Sequence, residues 1–414
     1  MLLRLSLFAC LAWSVSTLSA QTYSDFDLPP FSYWEKPPQD PFTKLKDQLG
    51  SGQVKLDHSA PKAYLLSLLA ALDVPVSSQS MVISATSLQS RLINPTNPRA
   101  IYFNEETYVG YVPGGRMEIA SMDPELGMVF YIFDPPRTPA QPLFDRSRRC
   151  MGCHADTYTK HLPGLMIESI VPNMEGGSLN AFRRDQSGHT IPLDQRFAGW
   201  HVTGAPNLIG SSANLVGEPG RNGLTYRARQ PGELFDLDHY PLPTSDILPQ
   251  LLHEHQVGFV NRVLEASYRV KLALNQSNGR LDAAGETMLD HQADLLVRYL
   301  LFMDEAALPK GGVKGEAPFI RDFQRNKKAT TAGISLKDFD LQTHLFKHRC
   351  SYMIYSAQWV ALPTVLKQRV YAKLGQALAD NNTIADYAYL SLVERRNIRS
   401  ILQQTLKDLP SSWR

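Results

Sequence analysis

The chain has 414 residues, with 42 Lys and Arg against 40 Asp and Glu, for a net charge of +2. An ordinary apolar share with little net charge excludes a disordered chain, and the charge balance excludes a global basic field of the kind that holds nucleic acid. Four cysteines in this length are too few for a disulfide-stapled scaffold, and the length suggests two or three domains.

In chain order, residues 1–4 carry one positive charge, 5–15 are apolar but too short to span a bilayer well, and 16–20 end in Leu18-Ser19-Ala20. This is the pattern of a secretory signal peptide over 1–20, cleaved after Ser19 or Ala20. Leu7-Phe8-Ala9-Cys10 offers a lipoprotein alternative. Nothing later approaches a membrane span, so the expectation is an exported, periplasmic protein whose mature chain does not cross the membrane.

The N-terminal region, 21–134, opens with a Pro- and aromatic-rich stretch to residue 50, which reads as an extended surface arm. Helical spacing follows at 60–73. Four short apolar runs, 100–104, 107–112, 117–121 and 127–133, are separated by Pro113-Gly114-Gly115 and Asp123-Pro124-Glu125 as turns, which predicts an antiparallel meander. The next segment, 135–245, begins with a Pro-rich linker, carries a strand at 165–171, and stays irregular from 172 onwards. So long an irregular stretch is expected to wrap something. The last, 246–414, is helical, with periodicity over 247–270, 288–306, 336–355, 365–378 and 392–406, and with capping boxes at Ser335/Asp338 and Ser391/Glu394. The fold class is therefore α+β with helix dominant.

Once Cys10 leaves with the signal, two of the three remaining cysteines lie in Cys150-Met151-Gly152-Cys153-His154. Cys-x-x-Cys-His is the pattern of covalent c-type haem attachment. Two thiols on one helical turn can add to the two vinyl groups along one porphyrin edge, and the following His154 can then ligate the iron. A redox dithiol is the first alternative, but it lacks the expected preceding strand and leaves His154 unexplained. Half a zinc site is the second, but no other cysteine pair completes it. One covalent haem c is therefore expected, held by Cys150, Cys153 and His154, with Arg148 and Arg149 beside the motif as candidates for the propionates. Cys350 reads as a buried thiol on an apolar helix face near Ile354.

The sixth iron ligand decides the chemistry. A Met thioether usually follows the motif by several tens of residues in small electron-transfer cytochromes. Here Met166 and Met174 come early and read as packing, and the expected window holds His189 and His201 instead. These two are the candidate metal ligands besides His154. His253 and His255, two apart on a helix, face different ways and read as ordinary helix histidines. A bis-histidine iron would transfer electrons, whereas an open iron would admit peroxide or oxygen chemistry.

Beyond the haem motif, several stretches carry a likeness: Asn97-Pro98-Arg99-Ala100-Ile101-Tyr102-Phe103-Asn104, Tyr108-Val109-Gly110, Met128-Val129-Phe130-Tyr131, Pro163-Gly164, the run from Arg196 to Gly204, Glu254-His255-Gln256, Asp338-Phe339-Asp340-Leu341, and the run from Cys350 to Ser356. Together they resemble a family of exported, single-haem cytochrome c domain proteins. The resemblance implies haem c at Cys150, Cys153 and His154 and implies no particular reaction. Such proteins tend to have an aromatic where His201 stands, and His and Met shortly after the Gly204 position, where this chain has Ala205-Pro206-Asn207-Leu208-Ile209. The resemblance thus makes His201 the expected replacement for a distal ligand. Two functions stay open. One is a periplasmic electron carrier working with a redox partner protein. The other is a peroxidase- or oxygenase-like haem enzyme with an open or displaceable sixth site.

Overall fold

The structure is a computed structural model that describes residues 26–135, 144–183, 186–205, 207–208, 210–221, 223–230 and 232–413. The expected signal segment with Cys10 lies outside the described residues.

From residue 26 to residue 50 the chain is a folded part of the body and not an extended arm. Phe26, Phe31 and Tyr33 are buried with Leu126, Leu162, Leu264 and Tyr268 in a small core of their own. Helix α1 (Pro41–Gly50) follows. Pro41 sits at the first helical position, where its missing N–H costs nothing, and the Asp40 carboxylate caps the helix by accepting from the Phe42 and Thr43 amides at 3.0 and 3.2 Å. Helix α2 (Pro61–Ala71) buries Tyr64, Leu65, Leu68 and Leu69.

The expected meander is present. Strands β1 (Ser80–Val82), β2 (Arg99–Phe103), β3 (Thr107–Tyr111), β4 (Met117–Asp123) and β5 (Gly127–Phe133) pair antiparallel in succession. The one-turn helix α3 (Met151–His154) carries the cysteine motif. Beyond it a hairpin, β6 (Ser169–Pro172) with β7 (Ser178–Arg183), replaces the longer strand expected at 165–171. Then β8 (Trp200–His201) returns to β1, which gives a six-stranded sheet of order β5-β4-β3-β2-β1-β8. A second hairpin, β9 (Leu215–Gly220) with β10 (Gly223–Ala228), sits in the expected irregular stretch.

Helices α4 (Ile247–Gln276), α5 (Ala283–Leu300), α6 (Ala317–Gln324), α7 (Ala357–Val360), α8 (Thr364–Ala377) and α9 (Leu392–Thr405) complete the described chain. The class is α+β, with more helix than strand among the described residues. No helix there is long and apolar enough to cross a membrane.

The helix expected over 336–355 does not form. Ser335 and Asp338 bond to each other as a turn, through the Ser335 amide (2.8 Å) and hydroxyl (2.9 Å), and the Asp340 carboxylate takes the Thr343 and His344 amides. Short polar side chains that satisfy the backbone locally compete with the helical ladder. Phe339 and Phe346 then pair across a bridge and stack at 5.3 Å inside an aromatic cluster. Only Tyr352–Tyr355 makes a short 3-10 turn. Cys350 is fully buried, as expected, although on this irregular segment and not on a helix.

Side chains alternate across the six-stranded sheet, since successive residues of a strand point to opposite faces. Tyr102, Val109, Ile119 and Tyr131 pack against Phe42, Leu65 and Leu68 from α1 and α2. Phe103, Tyr108, Met128 and Phe130 belong to the other face and to the main core, which also takes in α4, α5, α8 and α9. That core draws residues from all three segments defined by 134/135 and 245/246. The two faces decide which residues can meet at the site.

Candidate metal centre

The motif is stitched to β5 at both ends. The Ser147 amide donates to Phe130 O at 2.8 Å just before the motif, and the Met128 amide donates to Pro163 O at 2.9 Å just after it. Between them a 3-10 turn (Arg148–Cys150) runs into α3, so Cys150 and Cys153 stand three residues apart on one helical face. Cys150 is half-buried and Cys153 exposed, and burial raises both thiols above their ordinary value. Neither is the activated thiolate that a redox dithiol needs.

His154 is held from behind. Its Nδ1 lies 3.0 Å from Gly164 O, and its ring rests 4.3 Å from that of Phe130. With a carbonyl as partner, Nδ1 carries the proton and Nε2 keeps its lone pair, the tautomer in which a histidine ligates a metal. The carbonyl is itself braced: Asn261 of α4 accepts from the Leu165 amide at 2.9 Å and donates to Leu165 O at 2.7 Å. Gly164 fits nothing larger, because a Cβ there would lie 2.6 Å from Asn261 Oδ1 and 3.1 Å from Thr159 Cβ. Burial pushes the His154 ring down to about 4, and Arg99 adds to this against the opposing effects of Gly164 and Glu118. The ring is therefore neutral near pH 7.

Cys150, Cys153 and His154 line one cavity together with Leu165, Met166 and Ile167. Its floor is the inner face of the sheet, including Ile101, Tyr108, Gly110, Ala120 and Phe130, and Trp200 and His253 close the far wall. Below the mouth, Arg99 and Glu118 form an ion pair at 3.0 Å, with Ser87 and Gln89 also donating to Glu118. Burial alone would raise the Glu118 carboxyl, but Arg99 and these hydrogen bonds outweigh it and hold the group below its ordinary value. An adjoining opening is bordered by Arg91, Arg116 and Arg149 against Asp134.

The structure gathers some of the expected site residues and separates others. Cys150, Cys153, His154 and Arg149 come together at the cavity. Arg148 does not line it, and its guanidinium stacks 4.2 Å over Trp34. His201 does not line it either. Trp200 faces the cavity, so its neighbour His201 belongs to the opposite face, edge-on to Phe235 at 5.5 Å. His189 lies inside the helical core, Nδ1 to Nδ1 with His255 at 2.8 Å and stacked on Tyr299 and Phe302. Met166, read from sequence as packing, does line the cavity.

Sequence reasoning missed Arg99, Glu118, His253 and Asn261. One signal for His253 was available: His253-Glu254-His255-Gln256 puts four polar residues in a row between Leu252 and Val257, and all four are buried. No family model, curated protein or solved structure matches the chain.

Among the described residues no group of three or more His, Cys, Asp and Glu is placed to hold a bare metal ion. A haem iron sets a smaller demand, because the porphyrin supplies four bonds and the protein one or two. The fit to haem thus turns on the cavity, the braced His154 and the two cysteines on one edge of it. All three are present.

Proposed function

We propose that the protein is an exported c-type cytochrome that binds one covalent haem through Cys150, Cys153 and His154 and passes electrons to a redox partner. The observation that carries this reading is the His154 ring, braced by Gly164 O and bordering a cavity that both cysteines also line. The sequence likeness to exported single-haem cytochrome c domain proteins points the same way. Bound haem supplies one-electron exchange between two iron states. The protein's own residues do the rest. Cys150 and Cys153 would hold the haem through thioethers, and the exposed Cys153 would leave that attachment open to the approach of a partner. The Gly164 carbonyl orients His154 and makes it a better donor. Arg149, beside Arg91 and Arg116, offers positive charge to the propionates.

A spectrum separates the carrier from the enzyme. The purified ferric and ferrous protein is recorded with and without cyanide or carbon monoxide. A carrier is low-spin and ignores both ligands, whereas a high-spin iron that binds them overturns the carrier reading in favour of haem-enzyme chemistry.

A further inference from the structure

Three of the cavity's side chains, with Phe103 beyond them, form one cross-strand row. Phe130 of β5 pairs with Ala120 of β4, Ala120 with Tyr108 of β3, and Tyr108 with Phe103 of β2. The His154 ring sits on the Phe130 end of this row. The His253 ring sits on the other end, 5.1 Å from Phe103 and 5.4 Å from Tyr108, with Trp200 edge-on at 5.8 Å. Between the two imidazoles lies Ala120, which leaves that part of the floor open.

His253 is 5% exposed, it lines the cavity, and its buried Nδ1 has no hydrogen-bond partner among the described residues. A buried ring nitrogen left unpaired is costly, and here it belongs to a side chain that lines the cavity. Resting on the haem reading above, we infer that His253 is the second axial ligand of the iron, entering from the end of the chamber opposite His154. Its neutral imidazole has the lone pair that metal binding requires. Burial, with Arg99 acting the same way, takes its pKa down to about 3.

The competing donor is Met166, which lines the same cavity. His201 and His189 are removed by their positions on the far face of the sheet and in the helical core.

The test uses the haem-loaded full chain and reads the iron, not activity. Wild-type protein is expected to show the low-spin electron paramagnetic resonance and near-infrared charge-transfer bands of bis-imidazole iron. His253→Ala is expected to lose the low-spin signal and to bind carbon monoxide, and added imidazole is expected to restore the low-spin form. An iron–thioether band in the wild type, or a low-spin spectrum unchanged in His253→Ala, overturns the assignment while leaving the cytochrome reading intact. Should His253→Ala fail to fold, the wild-type bands alone still decide between imidazole and thioether. Wild-type protein that carries no covalent haem overturns the underlying reading itself.

Discussion

Asn261→Ala tests whether α4 positions His154, the proposed iron ligand. Asn261 makes two hydrogen bonds to the backbone of Leu165, at 2.9 and 2.7 Å, and the adjacent Gly164 carbonyl holds His154 Nδ1 at 3.0 Å. Each such bond contributes about 0.5–1.5 kcal/mol net, so losing two costs about 1–3 kcal/mol of stability. A merely structural residue would stop there. If Asn261 positions His154 through residues 164–165, the variant also loosens the axial imidazole, and removing such an outer-shell partner costs roughly 10–100-fold in metal affinity or activity. Denaturant unfolding measures the first effect; the paramagnetic resonance line shape and reduction potential of haem-loaded protein measure the second. Ser391→Ala is the control, since its hydroxyl caps α9 by accepting from the Glu394 amide at 3.2 Å. It should cost about 1 kcal/mol with no spectral change. An Asn261→Ala protein that is destabilised like Ser391→Ala yet keeps the wild-type potential and line shape refutes the positioning argument.

Glu118→Gln leaves the partly buried Arg99 without its counter-ion and should cost about 1–3 kcal/mol in denaturant unfolding; a loss of about 0.5 kcal/mol or less would mean that the pair behaves as a solvated surface bridge. Because the folded Glu118 pKa is lowered, its contribution is fully present above the unfolded glutamate value of about 4.3. It fades as pH falls through the lower, folded value, so the wild-type advantage over Glu118→Gln should shrink only under acid. Ala120→Phe puts an aromatic ring on the cavity floor and should lower haem content per chain in absorbance measurements while the protein still folds; undiminished haem content would place the haem elsewhere. His201→Ala should cost stability, about 1–3 kcal/mol for a buried, hydrogen-bonded group, and leave the iron spectrum unchanged. A lost low-spin signal there would contradict the placement of His201 on the far face.

Legibility in the sequence followed the range of the interactions. The meander was readable because Pro113-Gly114-Gly115 and Asp123-Pro124-Glu125 are local turn signals between short apolar runs, and all four expected strands form. Helices α4, α8 and α9 were readable from their periodicity. The segment over 336–355 has apolar residues at helical spacing too, but Ser335, Asp338 and Asp340 spend their side chains on local turns and Phe346 is drawn into a distant aromatic cluster. The cysteine motif announces itself in five residues. Its cavity does not, since Arg99, Glu118, Trp200 and His253 come from β2, β4, β8 and α4 and meet only once the sheet is built. His201 shows how a single position misleads: it is next to a cavity residue in the chain, and for that reason it points the other way.

The central claim is most directly tested by the intact mass of the purified protein after full denaturation, for the wild type and for Cys150→Ser/Cys153→Ser. The account predicts wild-type chains heavier than the polypeptide by one haem that denaturation does not remove, and double-variant chains at the bare polypeptide mass. Wild-type chains at the bare mass, or double-variant chains that keep the added haem, would contradict it.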